Sequence, residues 1–117
     1  MKRIPDCKGY LKLFLTENGG RSNPIFSGYQ PQHAIYENYQ ASAKHYFDDI
    51  EKLSPGDSTL TLVYFLMPEI YPRCLWIGRK INLFEGSKLI GVFTVTEIVN
   101  EILSIGENEF YSFWVAR

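Results

Sequence analysis

Gly19-Gly20-Arg21-Ser22-Asn23-Pro24-Ile25-Phe26-Ser27-Gly28-Tyr29-Gln30-Pro31-Gln32 decides the fold of this chain, because its glycines and prolines fall at fixed offsets between two strand-like runs. Upstream, residues 10–16 alternate Leu11, Leu13 and Leu15 with a face that carries Lys12 and Thr16, the period of a half-buried strand. That run stops where Gly19 and Gly20 admit positive φ. Downstream, residues 33–39 read as a second strand and residues 44–47 as a weaker third. Polar residues and the Pro55-Gly56-Asp57 turn then mark a connection, with Pro setting φ at the first corner and Gly accepting positive φ at the second. Residues 59–67 return to β-branched and aromatic side chains, and residues 75–83 and 89–98 flank the Glu85-Gly86-Ser87 turn as a hairpin. Short strands at this spacing predict an all-β fold, an antiparallel barrel or sandwich.

A length of 117 residues suits one domain with one core. Lys and Arg number 12 against 13 acidic residues, and the net charge of −1 supplies no general attraction to nucleic acid or to an anionic membrane. Such binding would need a local patch. Cys7 and Cys74 stand far apart, and the first residues lead into no apolar signal segment, so a reduced, cytoplasmic protein is expected. The apolar run at residues 60–67 is too short to cross a bilayer and reads as a buried strand.

Chemistry-bearing residues are few. His33 and His45 lie in strand-like segments with no His or Cys at zinc-ligand spacing, which reads as two strand histidines and no metal. The two cysteines read as structural, and Asp48, Asp49 and Glu51 beside Lys52 read as a solvated loop. A non-enzyme without a cofactor is the expectation. An enzyme would require an active site assembled from distant residues.

The quoted stretch is similar to the start of the third domain of elongation factor Tu. That family shows a Gly-Gly-Arg turn, an aromatic-Gly/Asn-Tyr-basic-Pro-Gln segment and a later Pro-Gly-Asp turn. Phe84-Glu85-Gly86-Ser87-Lys88-Leu89-Ile90-Gly91-Val92-Phe93-Thr94-Val95-Thr96 resembles its closing strand pair. The match runs in order over residues 10–98. It implies a six-stranded antiparallel Greek-key barrel spanning residues 1–117 as a single domain, with Gly20, Gly28 or Gly56 at positive φ. The family's phosphate-cradling loop is absent, so nucleotide binding and GTP hydrolysis are not expected. The resemblance also implies that Arg21, Gln32, Glu85 and Gly86 occupy positions the family uses near transfer RNA. Ser22, Gln30, Met67 and Phe84 replace basic or imidazole groups around them, which removes phosphate contacts.

Two segments depart from the family: residues 68–74, and an aromatic tail beyond Val99. The tail is expected to cover the barrel rim or add a short strand. These additions supply the aromatic residues of the leading functional expectation, a protein-binding module anchored by Tyr71, Trp76, Phe110, Tyr111, Phe113 and Trp114. A bacterial immunity protein or a translation-associated protein would be concrete forms of it. The alternative is a translation-related RNA binder using Arg21, Gln32, Glu85 and Gly86, and a protein partner is favoured over RNA.

Overall fold

The computed structural model describes residues 3–36 and 39–112. Eight strands form: β1 (Cys7–Leu13), β2 (Ile25–Phe26), β3 (Gln32–Tyr36), β4 (Tyr39–Phe47), β5 (Lys52–Leu53), β6 (Ser58–Phe65), β7 (Lys80–Glu85) and β8 (Lys88–Ile98). Six of them close an antiparallel barrel in the order β1-β6-β4-β3-β7-β8, while β2 and β5 pair as a separate two-stranded sheet. β3, β4 and β6, consecutive among the barrel strands, lie side by side, and the next barrel strand, β7, returns to lie beside β3, which is a Greek key. No helix among the described residues is long and apolar enough to cross a membrane.

Alternation builds the core. On β1 the inward positions Cys7, Leu11 and Leu13 are sealed while Tyr10 and Lys12 face out, and on β8 Ile90, Phe93 and Val95 do the same against Val92 and Thr94. Gly9 takes an inward position because a Cβ there would fall on the Thr94 carbonyl and the Phe93 ring, and the β1–β8 register shifts between Lys8 and Gly9. At the turns, Gly28 and Gly56 hold φ of 95° and 92°, whereas in the Gly19-Gly20 pair it is Gly19 that turns left-handed, at 87°.

Two sequence expectations shift. Residues 33–39 and 44–47 belong to a hairpin whose second strand, β4, runs nine residues and begins at Tyr39. Its inward positions are Ala41, Ala43, His45 and Phe47, and two alanines and a histidine give little apolar contrast. Only the last part of residues 75–83 is strand, because Gly78 at φ 92° and the Arg79 N–H to Trp76 carbonyl bond close a turn before Lys80. Of the two forms expected for the tail, its described residues take the first, covering the rim and adding no barrel strand. The tail crosses one barrel end through a 3-10 turn (Glu101–Leu103) and a single helical turn, α1 (Glu107–Phe110), burying Leu103, Ile105 and Phe110.

Candidate functional site

The two residue sets singled out in the sequence lie at opposite barrel ends. Arg21, Gln32, Glu85 and Gly86 gather where β3 begins and the β7–β8 hairpin turns: Gln32 pairs with Phe84, and Gly86 makes the turn at φ 61°. Arg21 Nε lies 3.2 Å from a Glu85 carboxylate oxygen, and its guanidinium stacks 5.3 Å from the Tyr29 ring centroid. The Tyr29 hydroxyl donates to the same carboxylate, and burial followed by that carboxylate pushes its ionisation well above the ordinary tyrosine range. Gln32 donates its side-chain amide to Ser42 Oγ at 2.7 Å. The cation and the amide are both engaged within the protein. A phosphate approaching Arg21 would meet the Glu85 carboxylate first.

The opposite end is aromatic. Phe110 is 3% exposed, packs 5.2 Å from Trp76 and 6.0 Å from Tyr36, and is core. Tyr111, 48% exposed, leans on Trp76 at 6.0 Å, and half-buried Tyr71 meets Tyr39 at 5.5 Å. Phe113 and Trp114 lie outside the described residues. Between the rings sits Arg79, with its guanidinium 4.6 Å from the Phe110 centroid and 5.0 Å from that of Trp76, donating to the carbonyls of Cys74 and Ile35. No ion pair to Arg79 occurs among the described residues, and burial lowers its pKa. It therefore ties β3 and the irregular segment before β7 to the tail through carbonyls and ring faces.

Sequence reasoning missed most of what surrounds these rings. Leu66, Met67, Ile70, Ile77 and Ile102 are all exposed at this end, Ile77 by 61%, beside Tyr39 and Tyr111. Exposed Glu69, Glu101, Glu107 and Glu109 accompany them, and Arg73 pairs with Glu109 at 3.5 Å. Leu66 and Met67 fall just past the end of β6, where the sequence reading had continued the strand, and Ile70, Ile77 and Ile102 lie singly in irregular segments, where no period marks them.

Inside the barrel, His33 and His45 face each other, both fully buried, with their Nε2 atoms 2.8 Å apart. The rings are within 2° of parallel and their centroids 4.9 Å apart, close to the most that such a nitrogen contact permits, so they meet edge to edge in one plane. The partners fix the protons. His33 Nδ1 lies 3.2 Å from the Ala41 carbonyl, which only accepts, so Nδ1 carries hydrogen and Nε2 is bare. His45 Nε2 must then donate, and its bare Nδ1 accepts from Thr61 Oγ1 at 3.0 Å. Every donor in this chain from Thr61 to Ala41 has an acceptor. Burial lowers both histidines, His33 to about 4 and His45 well below the usual range, where the neighbouring His33 adds to the effect. They are neutral, sealed structural groups without contact to solvent.

Cys7 and Cys74 are free, buried thiols, raised by burial, Cys74 to about 12, so neither is a thiolate nucleophile at neutral pH. Asp48, Asp49 and Glu51 are exposed on the loop after β4. No group of three or more His, Cys, Asp or Glu side chains suited to a metal occurs among the described residues. No protein-family model matches the sequence.

Proposed function

We propose that the chain is a non-catalytic protein-binding module that engages its partner through the aromatic end of the barrel. The observation that carries this reading is the gathering of exposed Met67, Ile70, Ile77, Ile102 and Tyr111 beside the half-buried Tyr71 and Trp76, on a floor stiffened by Phe110 and Arg79. Large apolar side chains collected on one face of a soluble fold mark an interaction surface, and rigid aromatic anchors lose little entropy on binding. The carboxylates of Glu69, Glu101, Glu107 and Glu109 favour a partner whose own apolar patch has a cationic rim. An immunity-type neutraliser of a basic protein is one form that fits. Kinship with the third domain of elongation factor Tu belongs to the same proposal, supported by the six-stranded closure and by positive φ at Gly28 and Gly56. A reducing, cytoplasmic setting suits the two free thiols. The RNA reading at Arg21 is disfavoured by that residue's pairing with Glu85.

A photo-crosslinking amino acid placed at position 77 in the native host tests the proposal. One protein captured from position 77, lost on Tyr111→Ala and not captured from position 49 at the far end, is the expected result. Equal capture from both positions would refute it.

A further inference from the structure

The outer wall of the barrel carries a charge pattern that the near-zero net charge conceals. Reading across the paired strands, Lys44 of β4 lies beside Tyr64 of β6. In the next row Tyr46 lies beside Leu62, which lies beside Lys8 of β1. The row after that sets Leu60, Tyr10, Thr94 and Lys80 side by side across β6, β1, β8 and β7. Ser58, Lys12 and Val92 follow. Lys8, Tyr10 and Lys12 share one face because they are two residues apart, about 7 Å from one to the next along the strand.

Most of the carboxylates are elsewhere. Glu17, Asp48, Asp49, Glu51 and Asp57 are exposed at one barrel end, and Glu69, Glu101, Glu107 and Glu109 at the other. On the wall itself Glu97 lies 3.8 Å from Lys8, and among the described residues Lys12, Lys44 and Lys80 make no ion pair. The tyrosines stand among these cations: Tyr10 is 53% and Tyr46 41% exposed, and Tyr46 meets the half-buried Tyr64 edge to face at 5.4 Å. Arg3, paired with Asp6 at 2.7 Å, places its guanidinium 5.9 Å from the Tyr64 ring. Arg3, Lys44, Tyr46 and Tyr64 together line an open cleft of about 400 Å³.

We infer that this wall, formed by the adjacent strands β4, β6 and β1, binds single-stranded nucleic acid, with bases stacked on Tyr46, Tyr64 and Tyr10 and phosphates on Lys44, Lys8 and Lys12. Accessible aromatic faces set among cations provide the two contacts a single strand needs, π-stacking for the base and charge for the backbone. A duplex hides its base faces from such rings. An acidic peptide would satisfy the lysines and leave the three tyrosines unused. The cationic wall extends well past one nucleotide, so an oligomer is the occupant. The wall is separate from the aromatic end, and this inference stands independently of the function proposed for that end.

Fluorescence anisotropy with a labelled oligo(U) probe of about twelve nucleotides, titrated between about 50 and 200 mM salt, provides the test. Binding is expected to weaken with a log–log salt slope of about −2 if three lysines each displace a counterion from a single strand. Tyr10→Ala and Tyr46→Ala should each weaken it by about tenfold, whereas Tyr10→Phe keeps the ring and the affinity. Lys8→Glu with Lys12→Glu should abolish binding, and circular dichroism on every variant establishes that the barrel is intact. No binding at 50 mM salt, Tyr→Ala affinities equal to wild type, tighter binding of the matching duplex, full displacement by an oligo-glutamate peptide, or equal affinity for the mononucleotide would each overturn the inference.

Discussion

Replacing Thr61 with Val changes the shape of the side chain little and takes away the only donor to His45 Nδ1 within the barrel. The proton order leaves no escape. If His45 moved its hydrogen from Nε2 to Nδ1, the Nε2 atoms of both histidines would face each other bare at 2.8 Å, since His33 must keep its own hydrogen on Nδ1 toward Ala41. A buried acceptor is therefore stranded, at a cost of about 1–3 kcal/mol, a large share of the stability of a small domain. The same chain makes stability depend on pH. Both histidines are held neutral by burial, so unfolding allows each to take up a proton below its ordinary pKa of 6.5. A base whose folded pKa is depressed gives its full stabilisation above the unfolded pKa and loses it as pH falls, here from 6.5 down to about 4 for His33. The loss is about 1.4 kcal/mol per pH unit for each histidine, or about 2 kcal/mol for each between pH 6.5 and 5.

These are the chain's 2 histidines, and carboxylates of ordinary pKa titrate lower, so that pH interval reports on the pair. One extra proton can be held without breaking a contact: His45 Nδ1 would donate to Thr61, whose hydroxyl then turns toward the Gly9 carbonyl 3.4 Å away. The pair shares that proton. A second would set two N–H groups against each other across the 2.8 Å contact. Urea denaturation of wild type and Thr61→Val at pH 7, 6 and 5, with nitrogen-15 spectra of the imidazoles at pH 7, measures both claims. Wild-type stability that stays flat from pH 6.5 to 5, or a spectrum showing hydrogen on His45 Nδ1 at pH 7, would refute the reasoning.

Three further outcomes follow from other contacts. Asp6, 3% exposed, accepts hydrogen bonds from Arg3, the Phe65 N–H and the Asn100 amide, so Asp6→Asn turns an NH2 group toward donors and should lower stability by about 2–4 kcal/mol in chemical denaturation at pH 7. Gly9→Ala sets a methyl on the Thr94 carbonyl and the Phe93 ring; a cooperative melt with unchanged midpoint would contradict that packing. Arg79→Met keeps much of the volume and removes the donors to Cys74 and Ile35, so hydrogen exchange should speed up in the tail around residues 103–110 while the β1–β6 amides stay protected.

What the sequence revealed depended on how strongly each inward position announced itself. On β1 and β8 large apolar residues mark the inward positions, and β6 was legible as a continuous β-branched and aromatic run although its inward set is Thr61, Val63 and Phe65 with Leu60, Leu62 and Tyr64 on the outer face. On β4 the inward set includes Ala41, Ala43 and His45, and a histidine reads as a core residue only once its partners are known, here His33 and Thr61 on two other strands. The resemblance placed Arg21, Gln32, Glu85 and Gly86 as a group, and they do gather at one end. It carried no sign that Glu85 neutralises Arg21, because that contact joins residues far apart in the chain. Of the aromatic set, Phe110 turned out to be core and Tyr111 surface, a division that composition cannot make. The cationic wall is the extreme case. Lys8 and Lys12 come from β1 and Lys44 from β4, and only the pairing of both strands with β6 puts them on one face with Tyr10, Tyr46 and Tyr64. Net charge constrains a sum over the chain, whereas recognition depends on how the folded strands distribute its terms. A protein of net charge −1 whose loops carry most of the carboxylates can thus present a wall attractive to anions between two ends that repel them.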